Sequence, residues 1–167
     1  GKTVTLADLA SRLARRDSDS TLPEDIIPFL IHVADLDLST SKNDPISVII
    51  DSIAESASVL DLSRIPEFVR KSFSDGRALL MLDGSDELGP DGLKEIVLFI
   101  KSVQHEFPRT RIITTATIDV LDGLVTLNFV PFAMAAWNPK QRIQFLQKWG
   151  DLWTRFVSVE AWSQTSD

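Results

Sequence analysis

The apolar residues of this chain recur in two rhythms. Leu6, Leu9, Ala10, Leu13 and Ala14 fall at the i, i+3, i+4, i+7, i+8 spacing of one helical face. They predict a helix that starts after Gly1 and ends at Arg15-Arg16, where cations suit the end of the helix dipole. Asp17 to Thr21 reads as a polar loop. Ile26 to Val33 is a β-type run, and its Pro28, which has no N–H to donate, suits an edge strand. Asp44-Pro45 opens the next helix, with Asp as N-cap and Pro at the first helical position. Ile46, Ile49, Ile50, Ile53, Ala54 and Ala57 form its stripe. Pro66 to Phe73 predicts a shorter helix closed by the Asp75-Gly76 turn.

Ala78 to Leu82 is apolar without alternation, the mark of a strand buried on both faces. Gly89-Pro90 starts a helix whose buried face is Leu93, Ile96, Val97, Ile100 and Val103, stopped by Phe107-Pro108. Arg111 to Thr115 predicts a strand, and Val125 to Val130, after the Asp122-Gly123 turn, predicts another. Asn138-Pro139-Lys140-Gln141 has the form of a capping box ahead of a helical pattern through Ile143, Phe145, Leu146, Trp149, Leu152 and Phe156. The tail Ser163 to Asp167 is expected to fray. Strands that alternate with helices imply right-handed crossovers and a mainly parallel sheet with helices on both faces. In such sheets ligands gather at the carboxyl ends of the strands, where Asp83, Thr114 and Thr115 fall.

Composition narrows the classes. The 167 residues make one domain or the larger part of one, and 44% hydrophobic with 25% charged residues is ordinary for a soluble globular chain. A net charge of −7 argues against a broad nucleic-acid surface, while a nucleotide needs only one or two local cations. The absence of cysteine removes disulfides and thiolate metal sites, and a cytoplasmic location is expected. No apolar run approaches the length of a membrane span, so no membrane partner is expected. The chain starts without Met and inside a motif, which reads as a piece of a longer protein.

The chemistry concentrates in Arg77-Ala-Leu-Leu-Met-Leu-Asp83-Gly84-Ser85-Asp86-Glu87. Three carboxylates within five residues repel one another unless a cation compensates, and a Mg²⁺-nucleotide supplies that cation. Asp83 is the candidate metal ligand, and Asp86 or Glu87 is the candidate for orienting or deprotonating an attacking water. Gly1-Lys2-Thr3 matches the last three letters of the phosphate-binding loop G-x-x-x-x-G-K-[ST]. It opens a helix about 80 residues before the acids, as a P-loop fold requires. Lys2 would reach the β- and γ-phosphates and the Thr3 hydroxyl the metal, with Gly1 in the loop backbone. Thr114 and Thr115 end a strand beside the acids and could sense the γ-phosphate, or could simply be good strand formers. His32 and His105 lack metal-ligand spacing and read as packing or surface residues. Trp137, Trp149, Trp153 and Trp162 read as core or domain-seam residues.

With these pieces in order, the chain resembles the NACHT NTPases, a branch of the STAND class of P-loop signalling ATPases. The matching segments are Gly1-Lys2-Thr3, the strand around Ile26 to Phe29, Gly76 to Glu87, Phe107 to Thr115 and Gln141 to Trp149. A small residue after the first Asp and then an Asp-Glu pair looks like the NACHT form of the Walker B motif. The resemblance implies an α/β P-loop sandwich with strand order 5-1-4-3-2, in which strand 1 and the glycine-rich half of the Walker A loop precede Gly1. It implies ATP or GTP bound with Mg²⁺, slow hydrolysis, and a nucleotide-gated switch in immune, death or defence signalling. Protein partners would engage flanking domains, with homo-oligomers possible. By that likeness residues 1–162 are a partial nucleotide-binding domain. Where the family has an Arg after its Thr pair, this chain has Ala116. That substitution motivates the alternative of an inactive interaction scaffold. The chain beginning at Gly1 is expected to bind nucleotide weakly or not at all, having few loop N–H groups to cradle phosphate.

Overall fold

The computed structural model describes residues 1–17, 22–38 and 44–156. In order along the chain its elements are helix α1 (Lys2–Ala14), strand β1 (Ile27–His32), helices α2 (Pro45–Ser56) and α3 (Ile65–Ser74), and strand β2 (Ala78–Asp83). Helix α4 (Pro90–Glu106), strand β3 (Arg111–Thr114), and helices α5 (Ile118–Val125) and α6 (Pro139–Phe156) follow. Short 3₁₀ turns cover Val33–Asp35 and Ser85–Glu87. The chain divides into two compact units, the first Gly1–Val130 and the second beginning at Pro131. The expected frayed tail, most of the loop at 17–21, and Trp162 lie outside the described residues.

The first unit is built on β2. All six of its residues are buried, as the unbroken apolar run requires. Ala78, Leu80 and Leu82 face one cluster with Phe29, Ile31, Ile46, Ile49, Val69, Phe73, Ile96 and Ile100, drawn from β1, α2, α3 and α4. Leu79 and Met81 face the opposite cluster with Leu6 and Leu13 of α1 and Ile26. The strand therefore holds helices on both sides of the sheet. Each buried Leu contributes about 1.5–3 kcal/mol.

The sheet order is β1-β2-β3, all parallel, with β2 in the middle. This is the mixed α/β class with a parallel sheet that the alternation of elements predicts. The register pairs His32 with Asp83 and Leu82 with Thr114, so the chemistry-bearing residues leave the sheet at one end. Pro28 sits in the edge strand β1 as expected. The Ile27 N–H donates to the Arg77 carbonyl at 2.9 Å, so the nitrogen of the next residue turns away from β2. A proline is tolerated at that outward position.

Local signals account for the helix ends. Asp44 Oδ1 accepts the N–H groups of Ile46 and Ser47 at 3.0 and 3.2 Å, the cap foreseen for α2. At α6 the Asn138 and Gln141 side chains each accept the other residue's backbone N–H at 2.9 Å, which is the reciprocal capping box.

One expectation is overturned. Val125 to Val130 is not a strand: Val125 ends α5, and a hydrogen-bonded turn follows. The Leu127 N–H donates to the Leu124 carbonyl at 2.9 Å and the Asn128 N–H to that of Val125 at 3.1 Å. Asn128 then takes a left-handed φ of 61°. Leu124 and Leu127 enter the same core cluster one helical turn apart, while Val125 is exposed. Helical burial thus outweighs the Val125-Leu127-Phe129 alternation.

Candidate functional site

The acids and hydroxyls cluster where β2 ends. Asp83 is the last residue of the strand and is only 5% exposed. Gly84 then adopts φ 84°, ψ 12°, a left-handed conformation that turns the chain into the Ser85–Glu87 turn. The Glu87 N–H donates to the Gly84 carbonyl at 2.9 Å and closes that turn.

Strand β3 ties the loop down from one side. The Thr115 hydroxyl donates to Asp83 Oδ1 at 2.7 Å and accepts the Gly84 N–H at 3.3 Å. The Thr115 N–H donates to the Leu82 carbonyl at 3.0 Å, continuing the sheet by one residue. Thr114 Oγ1 and Ser85 Oγ share a hydrogen bond of 2.9 Å.

Helix α1 approaches from the other side. Its first residue, Lys2, donates from Nζ to Asp86 Oδ2 at 2.8 Å across 84 residues of sequence. The next, Thr3, lies beside the Asp83 carboxyl and favours its charged form. The α1 N-terminus has no side-chain cap and no acid in its first turn. Burial works against a charge on Asp83. The Thr3 and Thr115 hydroxyls and the Gly84 N–H, which favour the charged form, outweigh it and hold the carboxyl below its ordinary range.

The predicted residues thus separate by role. Lys2, Thr3, Asp83 and Asp86 come together. Thr114 and Thr115 join them, but their hydroxyls are engaged with Ser85 and Asp83 and do not stand free toward a ligand. Gly1 contributes its carbonyl, which accepts the Thr5 N–H at 3.1 Å and the Thr5 hydroxyl at 3.0 Å. Glu87 stands apart from Lys2. Its side chain is 68% exposed, and its Oε2 lies 3.6 Å from His32 Nε2.

No family model, curated protein or solved structure matches this chain.

Two residues of the cluster escape a reading of the sequence. Ser85 looks like turn filler until β3 is placed beside it. His32 looks like an ordinary strand residue, yet it is the last residue of β1, level with Asp83. Its position at a strand's carboxyl end was the available signal. Among the described residues no three His, Asp or Glu side chains group to hold a metal on their own, and no helix is long and apolar enough to cross a membrane. Two grooves lie away from the cluster. One runs along the amino end of β1 by Leu13, Pro28, Phe68 and Arg77, the other beside Leu30, Asp35 and Ser52.

The arrangement has definite chemical capacities. Lys2 is one cation set at the mouth of an acidic loop, beside uncapped helix N–H groups that favour an anion. Thr3 and Asp83 place a hydroxyl and a carboxylate side by side. Glu87 is the acid most open to water.

Proposed function

We propose that this chain is part of a NACHT-like P-loop NTPase that binds Mg-ATP or Mg-GTP and hydrolyses it slowly as a signalling switch. One observation carries the reading: the side chains that open α1, Lys2 and Thr3, meet Asp86 and Asp83 at the end of a buried parallel strand. That meeting requires the sheet to bring together two motifs far apart in sequence. The order β1-β2-β3 lends support, since it reads as strands 2, 3 and 4 of the expected 5-1-4-3-2 sheet.

The donor set fits magnesium. Mg²⁺ keeps several waters and takes one or two protein oxygens beside those of a phosphate. The adjacent Thr3 hydroxyl and Asp83 carboxylate are such a pair, and the depressed pKa keeps Asp83 ionised at neutral pH. Bound there, the ion would neutralise charge on the β- and γ-phosphates. Lys2 donates to the phosphate oxygens, exchanging its Asp86 partner for the nucleotide. Glu87 receives the proton of the attacking water as the water oxygen bonds to the γ-phosphorus. The bond from that phosphorus to the bridging oxygen breaks, and the diphosphate leaves. Thr114, Thr115 and Ser85 brace the loop that carries these acids.

Equilibrium binding of Mg-ATP and Mg-GTP to the intact protein tests the reading. Binding that weakens sharply with Lys2→Ala supports it. No binding, or binding untouched by that substitution, overturns it.

A second reading, an interaction scaffold without turnover, is favoured by Ala116. It packs against the apolar core at the position where the likeness expects an arginine. Glu87→Gln separates the two. A switch traps nucleotide and shifts its assembly state, whereas a scaffold keeps its assembly unchanged.

A further inference from the structure

His32 has no part in the reading above, yet it is the residue most closely built into the acidic loop from the β1 side. Three independent observations converge on it. The register of β1 on β2 sets His32 level with Asp83. The Ala34 N–H donates to His32 Nδ1 at 3.2 Å, so Nδ1 carries the lone pair and the ring proton sits on Nε2. Nε2 in turn lies 3.6 Å from Glu87 Oε2.

Gly84 shows how closely the ring is seated. A Cβ built on Gly84 would come within 2.4 Å of His32 Nε2 and 2.7 Å of Cε1. The imidazole therefore lies directly over the Gly84 Cα. Glycine is required there twice over, by the left-handed φ of 84° and by the ring above it. One edge of the ring is held by the backbone of its own strand end and another lies against Gly84, while its Nε2 is 3.6 Å from the acid of the loop most open to water.

We propose that His32 is a positioning residue for Glu87: its Nε2–H directs the Glu87 carboxylate toward the place of the attacking water. This rests on the NTPase reading for the identity of the reaction, but the contact between ring and acid can be tested without nucleotide. The imidazole acts through Glu87 and itself exchanges no proton with the substrate. Glu87 alone, at 68% exposure, would sample many rotamers. An N–H held 3.6 Å away, just beyond hydrogen-bond distance, needs only a small rotation of the Glu87 carboxylate to engage it. That engagement selects one rotamer and raises turnover without changing nucleotide affinity.

Two measurements on the intact protein test the proposal. The first is ¹⁵N-detected NMR of the histidine rings, with the His32 signals assigned by their loss in a His32→Gln variant. The expected result is the Nε2–H tautomer, with an Nε2 resonance that moves on Glu87→Gln. An Nδ1–H tautomer, or an Nε2 resonance indifferent to Glu87→Gln, overturns the proposal whether or not nucleotide binds. The second is steady-state hydrolysis of Mg-ATP. His32→Phe keeps a flat ring but no donor, and is expected to lower kcat about tenfold with KM nearly constant. His32→Gln places an amide N–H near the site of Nε2 and is expected to recover most of that loss. Unchanged kcat in His32→Phe, or a His32→Gln variant that is folded by circular dichroism and no better than His32→Phe, overturns it. Failure of the NTPase reading has a different signature: the wild-type protein neither binds nor hydrolyses Mg-ATP, while the ring nitrogen still reports its Glu87 contact.

Discussion

The N-termini of α1 and α2 solve the same problem in opposite ways. Each leaves backbone N–H groups without helical partners. Helix α2 satisfies its own: the Asp44 carboxylate caps Ile46 and Ser47, and its second oxygen accepts from Arg70 Nη2 at 2.6 Å. Helix α1 has no such cap, and its first two side chains reach across the fold to the acids at the end of β2. A terminus that serves only the fold is closed locally. One whose side chains are spent on distant acids keeps N–H groups that would favour an anion, as the proposed function requires. The contrast sets Asp44, an acid spent on its own helix, against Asp83, the acid that the proposed reading gives to a metal, although both carboxyls are held below their ordinary range.

Substitutions can break that contrast. The largest expected effect is on binding: Lys2→Ala should weaken Mg-ATP binding to the intact protein about 100-fold, or about 3 kcal/mol, by removing charge-assisted hydrogen bonds. The melting temperature should hardly move, because the Lys2–Asp86 pair is partly exposed. Isothermal calorimetry beside thermal melting checks both halves. Asp83→Ala comes next and should cost about 2–3 kcal/mol of stability, since the buried Thr115 hydroxyl loses its acceptor. Denaturant titration measures it. Asp44→Ala should cost about 1 kcal/mol, the value of a lost N-cap, and leave nucleotide affinity alone. If Asp44→Ala impaired binding as much as Asp83→Ala, the contrast between the two termini would be wrong.

A pH titration sharpens the comparison further. The Arg70 hydrogen bond, together with the Ser47 and Ile46 N–H groups and against a desolvation penalty, lowers the folded-state pKa of Asp44. A depressed carboxyl pKa contributes stability that is present above the unfolded value of about 3.9 and is lost as pH falls through the lower folded value. The difference in melting temperature between wild type and Asp44→Asn should therefore be constant from neutral pH to about 5 and shrink below about 4. The smallest effect belongs to Lys94→Ala. Its i,i+3 pair with Asp91 is almost wholly solvent-exposed, and removing it should change stability by less than about 0.5 kcal/mol.

What could be read from the sequence follows the range of the interactions involved. The Asp44 cap, the Asn138–Gln141 box, the stripe of α4 and the doubly buried β2 are written within a few residues, and all are present. The acids after β2 stand out as a candidate site because their mutual repulsion needs an explanation even in one dimension. Val125 to Val130 misled because a short apolar stretch satisfies two periods at once, and only the neighbours decide between them. In the folded chain Leu124 and Leu127 find a core at helical spacing. His32 was illegible for a different reason. Its meaning comes from Gly84 and Glu87, more than fifty residues away. It depends on the register of two strands, where a slip of one residue would send the ring to the other face. Thr114 and Thr115 lie between these cases. Their place at a strand end was evident, but their engagement with Ser85 and Asp83 was not.

Pro28 carries a consequence for how copies of this molecule behave at high concentration. Its nitrogen sits on the outer flank of β1, and among the described residues no strand covers that flank. An incoming chain that tried to extend the sheet there would find one rung of the ladder without a donor and the pyrrolidine ring in its path. The margin of the sheet thus discourages fibril-like stacking, and replacing this one imino acid with valine should make the protein more prone to aggregate, as light scattering on warming would show.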